Sequence, residues 1–214
     1  MQSAGAVAIR AIVFDLDGTL YVSPEFAAVI QEAAVIYMAA LKGMERDEMR
    51  AMMAATRARM TEESGLQPTL SAVCTELGGN IIDLHGFFSK YLKPEECLVR
   101  DDRVVTLLER LRSRYGLYVY TNNNHSVTTR IIDCLGLDNI FSAVFAIDDL
   151  WIGKPDEARL DQILKTIGHA PGEVLFVGDR FDVDLRLPEQ KGCPIYLSQS
   201  VDQLLRLDAL LNSN

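Results

Sequence analysis

Asp15-Leu16-Asp17-Gly18-Thr19 places two carboxylates two residues apart, directly after a β-branched apolar run. On an extended chain residues i and i+2 project to the same side, so both carboxylates would face one site. Two bare carboxylates held that close repel, and one takes up a proton unless a cation lies between them. Hard oxygen ligands at this spacing suit Mg2+. A calcium EF-hand loop competes, but its glycine comes later in the loop than Gly18 does, and here a strand precedes the loop instead of a helix. Thr121-Asn122 offers a hydroxyl and backbone N–H groups at the start of a helix, a setting that suits a phosphoryl oxygen. Gly153-Lys154-Pro155-Asp156 predicts a helix with Pro155 in its first turn and Lys154 at the N-cap. A cation there opposes the helix dipole, which points to a task elsewhere, such as neutralising a phosphate or Asp15. Gly178-Asp179-Arg180-Phe181-Asp182-Val183-Asp184 adds carboxylates at another strand end. Taken singly, these are a polar turn, a cap, a surface lysine and a solvated acidic loop. Their weight comes from standing together, in order, each at its own strand end.

The elements that must position them are legible as short apolar runs with polar tips. Residues 9–14 (IRAIVF), 117–121 (LYVYT), 143–147 (AVFAI), 174–178 (VLFVG) and 194–197 (PIYL) read as strands. Helical patterns lie between them at 101–114, 126–135 and 156–167, the last two closed by Gly136 and Gly168. Strands alternating with amphipathic helices predict an α/β fold, a doubly wound parallel sheet covered on both faces. Ligands of such sheets bind beyond the carboxyl ends of the strands, where the polar tips converge.

Residues 22–98 interrupt the alternation. Ser23-Pro24 opens a helical pattern that closes at Gly43; further patterns cover 45–64, 69–77 and 81–91. With no strand signal, the stretch reads as an all-helical insert of about four helices after the first strand's tip. Its second pattern carries a run of methionines, Met44, Met49, Met52, Met53 and Met60. Such a run is more often core than a permissive binding surface. Arg57, Arg59 and His85 are within reach of a substrate but read first as solvated groups.

FDLDGTL, YTN, KP and GDRFDVD together resemble the four motifs of the haloacid dehalogenase (HAD) superfamily, covering residues 9–21 and 99–197. The resemblance implies a Rossmann-like HAD catalytic core (residues 1–21 and 99–214) with a small helical cap (residues 22–98). It implies that Asp15 is a nucleophile passing through an aspartyl-phosphate, and that Asp17 is the acid/base. Thr121, Asn122 and Lys154 would bind the substrate phosphate. Mg2+ would sit on the Asp15 carboxylate, the Asp17 main-chain carbonyl and Asp179, with Asp184 behind holding a metal water or Lys154. Dehalogenases of this family lack a carboxylate at the place of Asp17, because a halide leaves without a proton; its presence favours phosphoryl transfer. The start FDLDGTLY, the helical insert and TNNNHSVTTRIIDCLGLDNIF are similar to pyrimidine 5′-nucleotidases of the yeast type. A nucleoside 5′-monophosphate is therefore the first expected substrate. A phosphosugar phosphatase or mutase and a non-catalytic HAD-like binding protein are the alternatives. Motif IV departs from the nucleotidases in reading GDR where an acidic pair is common.

Composition bounds the rest. The 214 residues, 49% hydrophobic, suffice for one core with a small accessory unit. Thirty acids against 21 lysines and arginines give a formal charge of −9. That disfavours nucleic acid or an anionic membrane as partner and leaves a small phosphorylated metabolite bridged by a cation. The four scattered cysteines read as reduced thiols in the cytosol. The Ala6–Phe14 run is too short to span a membrane and lacks a signal-peptide layout. A cytoplasmic monomer or homodimer is expected.

Overall fold

The computed structural model describes residues 8–212; the first residues of the Ala6–Phe14 run and the outermost ends of the expected core segments lie outside them. Ala11–Phe14 (β1) is buried along its whole length, as a strand covered on both faces must be. Gly116–Tyr120 (β2), Ala143–Phe145 (β3), Val174–Gly178 (β4) and Ile195–Leu197 (β5) complete one parallel sheet in the order β3-β2-β1-β4-β5. The chain leaves β1 to one side and returns on the other as β4. The crevice at their carboxyl ends is thus the switch point of the sheet.

Four helices follow β1 before the chain returns to the core: Pro24–Lys42 (α1), Arg46–Ser64 (α2), Leu70–Glu76 (α3) and Ile81–Tyr91 (α4). Their ends follow local chemistry. Ser23 Oγ accepts the Phe26 N–H, Thr69 Oγ1 that of Ala72, and Asn80 Oδ1 those of Ile82 and Asp83, while Gly43 and Gly65 close α1 and α2 in left-handed conformations. By length and composition α1 could cross a membrane; here Phe26, Ala33, Ala34 and Met38 are buried in the interior. Asp102–Arg112 (α5), His125–Leu135 (α6), Glu157–Ile167 (α7), Arg186–Gln190 (α8), Val201–Leu204 (α9) and Leu207–Asn212 (α10) complete the chain.

The pleat sends alternate strand residues to opposite faces. Ile12, Phe14, Leu117, Val119 and Val177 join Leu108, Leu111 and Ile131 of α5 and α6 in a cluster that runs on into α1–α4. Ala11, Val13, Phe145, Val174 and Phe176 join Leu160, Ile163 and Leu164 of α7. Each fully buried Leu or Phe contributes about 1.5–3 kcal/mol.

Three local expectations need correction. Lys154 is not a helix cap: α7 begins at Glu157 with Asp156 as N-cap, its carboxylate accepting the Arg159 N–H at 2.7 Å. An anionic cap suits the helix dipole where a lysine would not. The Lys154–Pro155 peptide is cis. The run 143–147 is strand only to Phe145; Asp149 accepts the Ala146 N–H at 3.1 Å and turns Ile147–Asp149 into a 3-10 helix. Residues 181–185, read as an acidic loop, form a π-helical turn running into α8, and α9 and α10 had no counterpart in the sequence reading.

Candidate active site

Asp15 follows β1 directly, and its N–H still pairs with Val177 O at 2.8 Å, so the sheet fixes its backbone. Its two oxygens have different partners: Oδ1 accepts from Lys154 Nζ at 2.5 Å and Oδ2 from Thr19 Oγ1 at 3.2 Å. Lys154 Nζ also donates to Asp184 Oδ1 at 2.7 Å and Tyr120 O at 2.8 Å, which uses all three of its protons. Burial alone would lower the lysine's pKa, but Asp15 and Asp184 overcome that and hold it above its ordinary range. It stays charged. Asn122 braces this lysine, accepting its N–H at 2.6 Å through Oδ1 and donating to its carbonyl at 3.3 Å. The Asn122 side chain therefore serves Lys154. Thr121, buried beside it, accepts the Asn123 N–H at 3.1 Å through Oγ1, which leaves its hydroxyl proton free to donate.

Asp17 is not on an extended strand. β1 has ended at Phe14, and Asp17 lies in a turn bridged to Tyr21. Its Oδ1 accepts from the Tyr21 hydroxyl and its Oδ2 from Asn123 Nδ2 at 2.6 Å. Burial raises its pKa, while those two hydrogen bonds pull it down. Burial also holds the Tyr21 phenol well above its usual range, so Tyr21 remains a donor.

The carboxylates that do converge are Asp15, Asp179 and Asp184, each offering an oxygen within 4.8 Å of the others. Asp184, expected behind the metal ligands, thus stands beside Asp15 and Asp179, and the Asp17 side chain is not part of this group. Burial, Asp184, Asp17 and Asp179 push Asp15 up to about 7 against the pull of Lys154. Burial and Asp184 push Asp179 up to about 6. Asp179 Oδ1 is buried without a hydrogen-bond partner, and Arg180 Nε is 3.9 Å away. Crowded hard oxygens with one orphaned acceptor fit a divalent cation of the Mg2+ kind. Two glycines permit the crowding. A Cβ on Gly18, whose φ is +86°, would lie 2.5 Å from Asp179 Oδ2, and one on Gly178 would lie 2.5 Å from Asp184 Cβ.

Above these tips a cavity of about 400 Å³ has a wall from the four-helix insert; Asp17, Tyr21, Asn123, Arg57, Ser71 and His85 line it. His85 is not a solvated group. It is 2% exposed, in ring contact with Phe88 and Trp151, and its Nε2 lies 3.2 Å from Ser71 Oγ. Its carbonyl accepts from Asn124 Nδ2 at 2.9 Å, which ties α4 to the tip of β2. Arg57 is half-buried, whereas Arg59 is exposed and paired with Glu63 and Glu76. Met49 and Met53 are buried in the core. Asp182 is outside the carboxylate cluster, beside a neighbouring hollow. Thr19, Tyr21, Asn123 and Asn124 escaped the sequence reading. All four lie inside the stretches FDLDGTLY and TNNNHSVTTRIIDCLGLDNIF, and Asn124 also caps α6 by accepting the Val127 N–H, but nothing local tells which of these side chains turns into the site.

Residues 9–189 match the haloacid dehalogenase-like hydrolases. The chain belongs to this family. It is an enzyme, a phosphatase among these hydrolases. The phosphoglycolate phosphatase of Pectobacterium atrosepticum is 27% identical over 206 residues, covering 89% of this chain and 80% of its own length. The glyceraldehyde 3-phosphate phosphatase of Methanopyrus kandleri is 24% identical over 208 residues, covering 86% and 81%. In fold, the HAD phosphatase of Thermococcus onnurineus superposes with a TM-score of 0.65 at 20% identity over 95% of this chain and 98% of that one. The specific likeness to yeast-type nucleotidases finds no support among these relatives.

Proposed function

We propose that this HAD phosphatase hydrolyses the monoester of a small phosphorylated metabolite through an aspartyl-phosphate on Asp15. The observation that carries the reading is the Asp15 carboxylate, fixed between Lys154 and Thr19 at the switch point of the sheet, beside Asp179 and Asp184. An Asp15 oxygen attacks phosphorus in line as the bond to the alcohol oxygen breaks; Asp17 gives that oxygen its proton. Water then attacks phosphorus, Asp17 takes the water's proton, and phosphate departs with Asp15 regenerated. Thr121 donates its hydroxyl to a phosphoryl oxygen. Lys154, whose three protons are engaged, neutralises the phosphoryl group by turning one of them from Asp15 or Asp184. Asp15, Asp179, Asp184 and the Asp17 carbonyl would hold Mg2+, which when bound supplies charge to the phosphoryl oxygens and relieves the carboxylate crowding.

Residues 22–98 act in this reading as the cap over a core of 1–21 and 99–214, in the cytosol, as monomer or homodimer. The expected nucleoside 5′-monophosphate gives way to a smaller phosphorylated acid or sugar, because the relatives are phosphatases of phosphoglycolate and glyceraldehyde 3-phosphate. Phosphate release from a panel of nucleotides, phosphosugars and phosphorylated acids tests it. A phosphatase liberates phosphate, a mutase isomerises, and a binding protein does neither; isomerisation without release would sink the reading.

A further inference from the structure

Of the four arginines of α2, Arg46 is exposed to solvent and two of the others are paired. Arg50 is paired with Glu32 and Asp47, and Arg59 with Glu63 and Glu76. Arg57 has no carboxylate partner among the described residues. Its Nε is buried without a hydrogen bond, and its Nη2 reaches only the neutral Gln31 Oε1, at 3.4 Å. In a chain with 30 acids against 21 lysines and arginines, burying a guanidinium without a counter-charge is costly; Arg186 shares this state but does not line the cavity above the strand tips. Arg57 lies on the cavity that opens over the carboxylate cluster, with Ser71 and Thr69 as neutral neighbours on the same wall. The other arginine on that cavity, Arg180, already has Asp179 Oδ1 at 3.9 Å. We propose that Arg57 reads a carboxylate on the substrate, so that the enzyme selects short phosphorylated carboxylic acids. The planar fork of a guanidinium matches a planar carboxylate by two parallel hydrogen bonds. With the phosphoryl group held at Asp15, the free end of such a molecule faces α2.

This assignment rests on the phosphatase reading, and the experiment separates the two. Phosphoglycolate and ethyl phosphate are similar in size and differ in the carboxylate, and p-nitrophenyl phosphate reports the chemistry alone. The wild-type enzyme is expected to prefer phosphoglycolate over ethyl phosphate. Arg57→Ala lowers the ratio of their kcat/KM values roughly 10- to 100-fold, the worth of a charge-assisted hydrogen bond, with the loss in KM for the acid. Arg57→Lys, which keeps the charge without the fork and preserves folding, recovers part of the ratio. Arg50→Ala, on the same helix but already paired, leaves the ratio where it was. A wild type without preference for the acid, or a ratio untouched by Arg57→Ala while p-nitrophenyl phosphate is still hydrolysed, overturns the assignment and spares the phosphatase. No hydrolysis of any ester by the wild type removes both.

Discussion

Asp15 is gripped by a cation on one oxygen and a hydroxyl on the other, which fixes its direction and keeps an oxygen nucleophilic. Asp15→Asn is expected to bring turnover below roughly a thousandth of wild type while the thermal transition stays in place, since the amide keeps the shape but is no nucleophile. Steady-state kinetics and a melting curve check this; substantial residual activity in a clean preparation refutes the nucleophile. Asp17 is a different case. Burial favours its protonated form, yet both of its oxygens accept hydrogen bonds, from Tyr21 and Asn123. One of these donors must yield before Asp17 hands a proton to a leaving alkoxide. Asp17→Asn is therefore expected to slow alkyl esters far more than p-nitrophenyl phosphate, whose leaving group departs unaided. Rapid mixing would also find a burst of alcohol followed by slow phosphate. Equal losses on both esters without a burst would reduce Asp17 to a structural residue.

Two element junctions are tight enough to test. The turn after β1 approaches β4's tip so closely that Gly18, at φ +86°, leaves no room for a side chain beside Asp179. Gly18→Ala should cost about 1–3 kcal/mol in denaturant unfolding and most of the activity, because Asp179 must move; an active, stable variant would show that the junction is slack. The second junction is α4 against the tip of β2, made by the His85 carbonyl and Asn124. Burial holds the His85 imidazole down at about 4, against an ordinary 6.5. Because the folded value lies below the unfolded one, its contribution is intact above 6.5 and is lost as pH falls through 4. That amounts to at most about 3 kcal/mol. Asp15 and Asp179, raised to about 7 and about 6, titrate in the opposite sense over part of the same range. The comparison is therefore between wild type and His85→Gln: the wild type should lose more stability between pH 6.5 and 4, and parallel curves would mean that His85 is not buried as a neutral ring.

For the molecule as a whole, the sheet gathers three carboxylates from β1 and β4 into one spot, and that repulsion is a cost the fold carries until a cation binds. Mg2+ is expected to raise the melting temperature of the wild type with increasing concentration, by linkage to the folded state, and a chelator to abolish activity. Asp179→Asn should remove most of the thermal shift. Full activity in chelator would contradict the metal site outright. Calcium, which accepts more oxygens and could take both of those on Asp15, is expected to inhibit.

The short range of their causes explains what the sequence alone determined. Most strand and helix identities, the cap at Ser23, the glycine stop at Gly43 and the order of the motif tips all depend on residues a few places apart. So does the likeness of FDLDGTL and its partner motifs to one family. Tertiary structure decided the remainder. Asp184 and not the Asp17 side chain completes the carboxylate cluster, because that side chain is drawn away by Asn123, a residue 106 positions distant. Lys154 serves Asp15 and Asp184 and not a helix end, because β2 brings Asn122 and Tyr120 O to meet it. His85 is a buried wall and Arg57 an unpaired charge only once α2 and α4 are set over the strand tips. Burial and long-range pairing are properties of packing, and no local pattern in the chain carries them.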